Sequence, residues 1–158
     1  MNKIYCDNIS ELKKEKIFLE KNLKIKITIS GRVITIEGNA FDEYEASRII
    51  DAINLGFSAQ TACLLKDEEF AFEKINIKSY TRRKNLDVIR SRLIGTKGKT
   101  KKTIEQISGC QIKIRKNIVG IIGPADSIQH ALLGITNIIK GTKQSNVYKY
   151  LEKINTLK

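Results

Sequence analysis

The sequence predicts an α+β protein built from two copies of one unit, each with the order strand–helix–helix–strand–strand–helix. Three observations predict this fold class. Residues 26–56 align without a gap on residues 111–141, at an offset of 85 positions. Each copy contains two short stretches in which polar and apolar residues alternate, as in the strands of a hairpin. Each hairpin precedes apolar residues at helical spacing, which end at a glycine. Such a repeat indicates a duplicated structural unit.

The first copy is predicted to span residues 1–68 and to pack against the second. Its apolar alternation and its turn residues place the elements in order along the chain. They are a strand at 2–9, a helix at 10–22, strands at 24–30 and 32–38 around Gly31, a helix at 42–55 capped by Gly56, and a short helix at 58–66.

The second copy is predicted to span residues 69–158. Its elements are a strand at 71–80, a first helix that ends at Gly95, a helix at 99–108, a hairpin from 111 to 123, a helix with Pro124 in its first turn and Gly141 at its end, and a short C-terminal helix. The C-terminal helix spaces Val147, Tyr150, Leu151 and Ile154 for packing against the body. Tyr148 could instead stack on RNA, but stacking aromatics usually lie on sheets.

Positive charge is concentrated in the second half of the chain. Residues 1–76 contain 11 Lys/Arg and 13 Asp/Glu, whereas residues 77–158 contain 18 Lys/Arg and 4 Asp/Glu. A lysine-rich composition bias would affect both halves alike. The asymmetry therefore predicts a polyanion-binding unit joined to a near-neutral one.

Several other classes of protein are disfavoured by the composition. The chain has no long apolar run and no signal-peptide core at its N-terminus, so we expect an intracellular, cytoplasmic protein without a membrane span. Three separated cysteines and one histidine make no metal-binding pattern, so we expect neither a metal site nor a cofactor.

A glycine pair separates the first two predicted helices of the second copy, in the sequence LIGTKG (93–98). The N–H groups at the start of the following helix point outward with the positive end of its dipole. Glycine allows a sugar–phosphate backbone to come close because it has no Cβ, and the surrounding lysines add positive charge. We expect this loop to bind phosphate, beside a strand at 111–115 that meets the bases.

The sequence L-I-G-x-x-G, followed by a helix, an apolar hairpin and a long helix, resembles the type I KH domain. The matching residues are Leu93 to Gly98, then Ile104, Ile107, Ile112, Ile114, Ile121 and Gly123. A lone GxxG is weak evidence, but here the expected elements lie on both sides of it. The resemblance implies that the fold consists of two tandem type I KH-like domains.

Two further stretches, Arg92–Cys110 and Ser145–Lys153, resemble the archaeal two-KH-domain proteins of small-subunit ribosome biogenesis. That family is the counterpart of the eukaryotic partner-of-NOB factors and is related to the Krr-type proteins. The resemblance implies binding of single-stranded RNA at the 3′ end of the small-subunit rRNA precursor. It also implies a protein partner, either the endonuclease that trims this end or a translation initiation factor.

The first copy departs from this pattern at the glycine pair. The corresponding residues are Ser10, Glu11, Leu12 and Lys13, and the preceding segment is shorter. Side chains there would obstruct a phosphate, and Glu11 would repel it. We therefore expect the first copy to be a degenerate domain with a structural or protein-contacting role.

The residues expected to contact RNA lie in the loop, in the start of the next helix and in the following strand. They are Arg92, Ile94, Gly95, Thr96, Lys97, Gly98, Lys99 and Lys102 for the backbone, and Gln111, Ile112, Lys113, Ile114 and Arg115 for the bases. Arg82, Arg83 and Lys84 would extend this basic track. Core packing is the alternative for the isoleucines, and only one of Ile112 and Ile114 is expected to face the groove.

Two rival functions are considered. The first is a basic scaffold that contacts ribosomal subunits or a translation factor without reading an RNA sequence. The second is a nucleotide-hydrolysing enzyme, which GKT at 98–100 suggests. A phosphate loop of that class needs four residues between its glycines, and this chain has two. We therefore expect a protein that is not an enzyme.

Overall fold

The computed structural model describes residues 1–156, so the last two residues of the predicted second domain lie outside the described residues. The chain divides into two compact units, Met1–Glu68 and Glu69–Lys158. Each unit contains one antiparallel three-stranded sheet, in the order β1-β3-β2 in the first and β4-β6-β5 in the second. Within residues 1–156, no helix is both long and apolar enough to cross a membrane.

The first unit places two long helices against its sheet. Its elements are β1 (Asn2–Tyr5), α1 (Ile9–Leu23), β2 (Lys26–Ser30), β3 (Val33–Glu37), α2 (Ala40–Leu55) and α3 (Ala59–Ala62), which continues as a 3-10 turn over Cys63–Lys66. The inward residues of the strands and the apolar faces of both helices are buried, among them Leu19, Ile27, Ile34 and Ile50. The unit therefore has a hydrophobic core of its own.

The prediction of two helices between the first and second strands is wrong for the first unit. Only Cys6–Asn8 separate β1 from α1, and α1 then runs without a break to Leu23. A helix needs several residues to form its first hydrogen-bonded turn, so three residues cannot hold an additional one. The predicted strand at 2–9 also ends early, at Tyr5.

The second unit contains the extra helix. Its elements are β4 (Phe70–Asn76), a 3-10 turn at Ile77–Tyr80, α4 (Leu86–Ile94), a 3-10 turn at Thr96–Gly98, α5 (Lys99–Ser108), β5 (Gln111–Arg115), β6 (Ile118–Pro124), α6 (Ile128–Lys140) and α7 (Gln144–Thr156). Val147 and Leu151 of α7 are buried, and Tyr148 is partly buried against the same core. The C-terminal helix therefore belongs to the packed body.

Pro124 is not in the first turn of a helix, as the sequence predicted. It is the last residue of β6, where it pairs with Phe70, and α6 begins only at Ile128. Because proline has no N–H to donate, the end of a strand accommodates it well. The turn between β6 and α6 is held instead by the Ser127 N–H, which donates to the Pro124 carbonyl at 2.9 Å.

The same internal contacts occur in each unit, at positions 85 residues apart in the chain. The Glu20 carboxylate accepts from the Ile27 N–H at 2.9 Å, and the Glu105 carboxylate accepts from the Ile112 N–H at 3.0 Å. The left-handed backbone positions recur as well: Lys24 and Gly109, Gly31 and Lys116, Gly56 and Gly141. The repeat therefore reflects common backbone geometry as well as common hydrophobic spacing.

Candidate nucleic-acid interface

The loop Gly95–Gly98 joins α4 to α5 through an unusual backbone path. Gly95, Lys97 and Gly98 have φ values of 78°, 55° and 75°, and all three lie in the left-handed half of conformational space. The Gly98 N–H donates to the Gly95 carbonyl at 3.1 Å, which closes the turn. Residues with a Cβ avoid this region, so the glycines make the sharp break between the two helices possible.

The first glycine of the loop serves packing. A Cβ at Gly95 would lie 2.2 Å from Oγ1 and 2.6 Å from the backbone nitrogen of Thr100. Thr100 is itself buried, with 5% of its surface exposed. Gly95 thus lets the end of α4 come into direct contact with the first turn of α5, so it shapes the loop from behind.

The second glycine of the loop is open to solvent. A Cβ at Gly98 would meet only Cε of Lys102, at 3.9 Å. Gly98 is the N-cap of α5, the cap makes no side-chain hydrogen bond, and the first turn of α5 contains no acidic residue. The Lys99 N–H donates to the Thr96 carbonyl, so the positive end of the α5 dipole is what faces the accessible space, and it favours an anion.

Exposed cations surround this opening. Lys97 is at the tip of the loop, and Lys99 and Lys102 are exposed on the first turn of α5. Within the described chain, none of these three has a carboxylate within 4 Å. Positive charge without an internal counter-charge, next to a helix N-terminus, is suited to a phosphate.

The strand β5 forms the edge of the sheet next to α5, and α5 fixes its position. The Glu105 carboxylate accepts from the Ile112 N–H, and the Lys101 ammonium donates to the Ile112 carbonyl at 3.2 Å. The Ile112 backbone groups therefore point away from β6. Because antiparallel strands alternate in this respect, the N–H and carbonyl of Ile114 point to the same outer edge. Those groups could meet the edge of a base.

The side chains of β5 divide between two faces. Ile112 is 2% exposed within the core, and Ile114 is partly buried against the same core. Gln111 and Lys113 are exposed on the other face. The helices pack on the core face, so Ile114 lies on the loop's side of the sheet and Gln111 and Lys113 do not. Arg115, at the end of the strand, is partly buried.

Arg92 has partners within the fold. Its guanidinium donates to the Ile138 and Thr142 carbonyls, each at 2.9 Å, at the C-terminal end of α6. In the first unit the Asn8 side chain donates to Ile53, which corresponds to Ile138 in the repeat. Arg92 therefore anchors α4 on α6, whereas its neighbour Ile94 is 39% exposed beside the loop.

Arg90 is a residue of this region that the sequence analysis did not include. It pairs with Asp87, and it donates to the Lys116 carbonyl at 3.1 Å and to Oδ1 of Asn117 at 2.8 Å. Lys116 and Asn117 form the β5–β6 turn. Arg90 thereby spans from α4 to this turn and sets the separation of α4 and β5. Arg90 lies one helical turn before Ile94, on the same face of α4, and this spacing could have indicated from the sequence that Arg90 lies near the loop.

A cavity of about 550 Å³ opens beside the loop, on the flank of α4 opposite Arg90. Thr96 and Lys99 line it together with Ser91 of α4 and Gln144 at the start of α7. The loop is thus accessible from both sides.

The comparisons with known proteins agree with this geometry. The family model for the second KH domain of PNO1, described as "Eukaryotic type KH-domain (KH-domain type I)", matches residues 71–156. This chain belongs to the type I KH-domain family. The KH resemblance of the second half, inferred from its glycine loop, is thereby confirmed. The matched residues include the loop Gly95–Gly98 and the strand β5.

Solved structures extend the similarity over the whole chain. The crystal structure of Dim2p from Pyrococcus horikoshii OT3 is 30% identical, with a TM-score of 0.86, and the match covers 97% of this chain and 99% of that one. The a/eIF2alpha-aDim2p-rRNA complex of the same organism contains a chain that is 29% identical, with a TM-score of 0.90, over 99% of this chain and 94% of that one. The similarity to the archaeal relatives of PNO1 is confirmed.

Among curated proteins, a KH domain-containing protein of Methanocaldococcus jannaschii is 29% identical over 142 residues. The match covers 85% of this chain and 63% of the relative. The chain therefore spans less than two thirds of the length of that relative.

Proposed function

We propose that this protein binds single-stranded RNA through the loop Gly95–Gly98 and the edge of β5. The observation that carries the proposal is the open Gly98 at the N-terminus of α5, with three exposed lysines around it that have no carboxylate within 4 Å among residues 1–156. A KH domain holds about four nucleotides by clamping their backbone with its GxxG loop. Here the loop supplies the positive end of the α5 dipole and cations on one side, and the outer edge at Ile114 faces it from the other.

The RNA we propose is the 3′ end of the small-subunit rRNA precursor, whose maturation this protein would assist in the cytoplasm. Support comes from the Pyrococcus horikoshii aDim2p chain, which is 29% identical and was solved in a complex with rRNA and a/eIF2alpha. A translation factor or the endonuclease that trims this RNA is the proposed protein partner.

We propose that the chain consists of two tandem KH-like domains, 1–68 and 69–158, of which only the second retains a GxxG loop. The contacts that recur at an offset of 85 residues support a common origin of both units. In the first unit α1 passes straight through Ser10–Lys13, and Leu12 is completely buried. That unit therefore presents no loop to RNA, and its proposed role is structural or protein-binding.

The residues predicted to contact RNA take different roles in this proposal. The phosphates would lie against Thr96, Lys97, Gly98, Lys99 and Lys102, which surround the opening. The bases would lie against Ile94 and Ile114. Gly95, Arg92 and Ile112 would build the site from within. Gln111, Lys113 and Arg115 alternate with Ile112 and Ile114 and share the opposite face of β5, so they would meet only RNA that passes around the edge of the sheet.

A binding role, without catalysis, is consistent with the way the acidic residues near the loop are used. Asp87 pairs with Arg90, and Glu105 holds both the Lys101 ammonium and the Ile112 N–H. Both carboxylates thus have contacts that stabilise the domain.

The test compares the Gly98→Asp variant with a control at the other end of the same helix. Gly98 (φ 75°, ψ 14°) and Gly109 (φ 72°, ψ 13°) have nearly the same backbone conformation, and both have open space where a Cβ would lie. Gly98→Asp places a carboxylate at the phosphate opening, so its affinity for single-stranded 3′-end rRNA should fall at least tenfold. Gly109→Asp makes the same charge change and should alter the affinity less than twofold. Fluorescence anisotropy measures both.

The scaffold alternative is favoured by the a/eIF2alpha chain in the solved complex of the relative. A shuffled RNA of the same composition separates the two functions. Equal affinity for both RNAs, together with no loss in Gly98→Asp, would reject the RNA-reading role and leave the scaffold. A preference for the native 3′ end that disappears in Gly98→Asp supports our proposal.

A further inference from the structure

A second basic cavity lies between the segment that follows β4 and the C-terminal end of α6. It has a volume of about 580 Å³ and is formed by the 3-10 turn at Ile77–Tyr80, the residues after it and the end of α6. Its lining consists of three cationic and three hydroxyl side chains. They are Lys78, Ser79, Tyr80, Thr81, Arg82 and Lys140. Such a lining offers only donors and positive charge to a phosphate oxygen.

The cations of this cavity are not paired with carboxylates in the part of the chain that the structure describes. In the described range 1–156, no carboxylate lies within 4 Å of Lys78, Arg82 or Lys140. The Lys140 ammonium lies 5.9 Å from the centre of the Tyr80 ring, within reach of a cation–π contact, and both residues line the cavity. Arg83 and Lys84, which follow Arg82 in the chain, are also exposed. Like charges at close range repel one another, so an anion that binds among them gains favourable energy.

Hydrogen bonds connect this cavity to the end of the proposed RNA groove. The Ile77 N–H donates to the Asn117 carbonyl at 2.8 Å, so the 3-10 turn adjoins the β5–β6 turn. Arg90 joins the same turn to α4. The 3-10 turn that lines the cavity and Arg90 of α4 therefore both contact the β5–β6 turn, where β5 ends.

We propose that this cavity binds the phosphate backbone of RNA nucleotides that leave the groove past the β5–β6 turn. The inference rests on the proposed function and adds a second contact to it. An RNA longer than the groove would be held at two points, by the loop at Gly98 and by the cavity at Lys78 and Arg82. Chain length, in addition to sequence, would then determine affinity.

The experiment compares two RNA lengths and two double variants of the full chain. Wild-type protein should bind a twelve-nucleotide RNA more tightly than a five-nucleotide RNA that only fills the groove. In Lys78→Ala/Arg82→Ala the affinity for the longer RNA should fall about tenfold, and the slope of log affinity against log salt should decrease by about 1.4. Binding of the shorter RNA should be unchanged.

The control removes two exposed lysines of α7, in Lys149→Ala/Lys153→Ala, which changes the net charge by the same amount. This variant should bind both RNAs as the wild type does. An equal loss in the control, an equal loss for both RNA lengths, or no loss for the longer RNA would each overturn the inference. If wild-type protein binds neither RNA, the proposed function itself fails, which is a distinct result.

Discussion

The loop Gly95–Gly98 of the second unit and its counterpart Ser10–Lys13 in the first follow different backbone paths on the same scaffold. In the second unit the chain leaves α4, turns through left-handed positions and begins α5 at Lys99. The first unit has no counterpart of α4, and Ser10–Lys13 lie in the first turns of the continuous helix α1. The sheet and the long helices are shared by both units. The candidate RNA site therefore depends on an inserted helix and a break, and not on the scaffold.

The two units also differ in the burial of corresponding residues in this segment. Lys97, exposed at the tip of the loop, corresponds to Leu12, which is completely buried. A continuous helix turns this position towards the core, whereas a broken one exposes it. The same scaffold thus exposes a cation in one unit and buries an apolar residue in the other.

The largest effect is expected at Gly95. Gly95→Ala would force a Cβ to within 2.2 Å of Thr100 Oγ1 and would strain a left-handed backbone. We expect the second unit to lose about 3 kcal/mol of unfolding free energy, measured by urea denaturation. The matched change at the corresponding exposed position, Ser10→Ala, should cost no more than about 0.5 kcal/mol. A loss below about 1 kcal/mol for Gly95→Ala would contradict the packing role.

A smaller effect is expected at Arg92. Arg92→Ala removes two charge-assisted hydrogen bonds to the end of α6 and should cost about 2 kcal/mol. Asn8→Ala removes the corresponding neutral bond in the first unit and should cost about 1 kcal/mol. Because Arg92 acts on the fold, the slope of RNA affinity against salt should stay as in the wild type. A shallower slope with unchanged unfolding would instead place Arg92 on the RNA.

The smallest effect is expected from grafting the loop onto the first unit. In the Gly98→Asp background, Ser10→Gly, Glu11→Thr and Lys13→Gly together should not restore RNA binding. The buried Leu12 still holds α1 in the core, and no α4 precedes it. Anisotropy with 3′-end rRNA should give the affinity of Gly98→Asp alone. A tenfold recovery would show that the glycines suffice and that the inserted helix does not matter.

Much of this arrangement could be predicted from local sequence. Alternation placed the strands of both hairpins, and helical spacing placed α5 at 99–108, because the side-chain period of each element is written directly in the chain. The failures are also local in origin. A charged, helix-favouring stretch such as 10–22 has the same pattern whether one helix or two precede the hairpin. Pro124 is compatible with a first helical turn and equally with the end of a strand.

The sequence by itself determined the repeat, the charge asymmetry and the glycine pair, since each depends on residue type and spacing alone. Only the tertiary structure separated the two glycines, by placing Gly95 against Thr100 and leaving Gly98 open. Only the tertiary structure directed Arg92 to the α6 carbonyls and brought Lys78, Arg82 and Lys140 around one cavity. The physical reason is that these roles depend on neighbours up to 62 positions away in the chain, which no local pattern encodes.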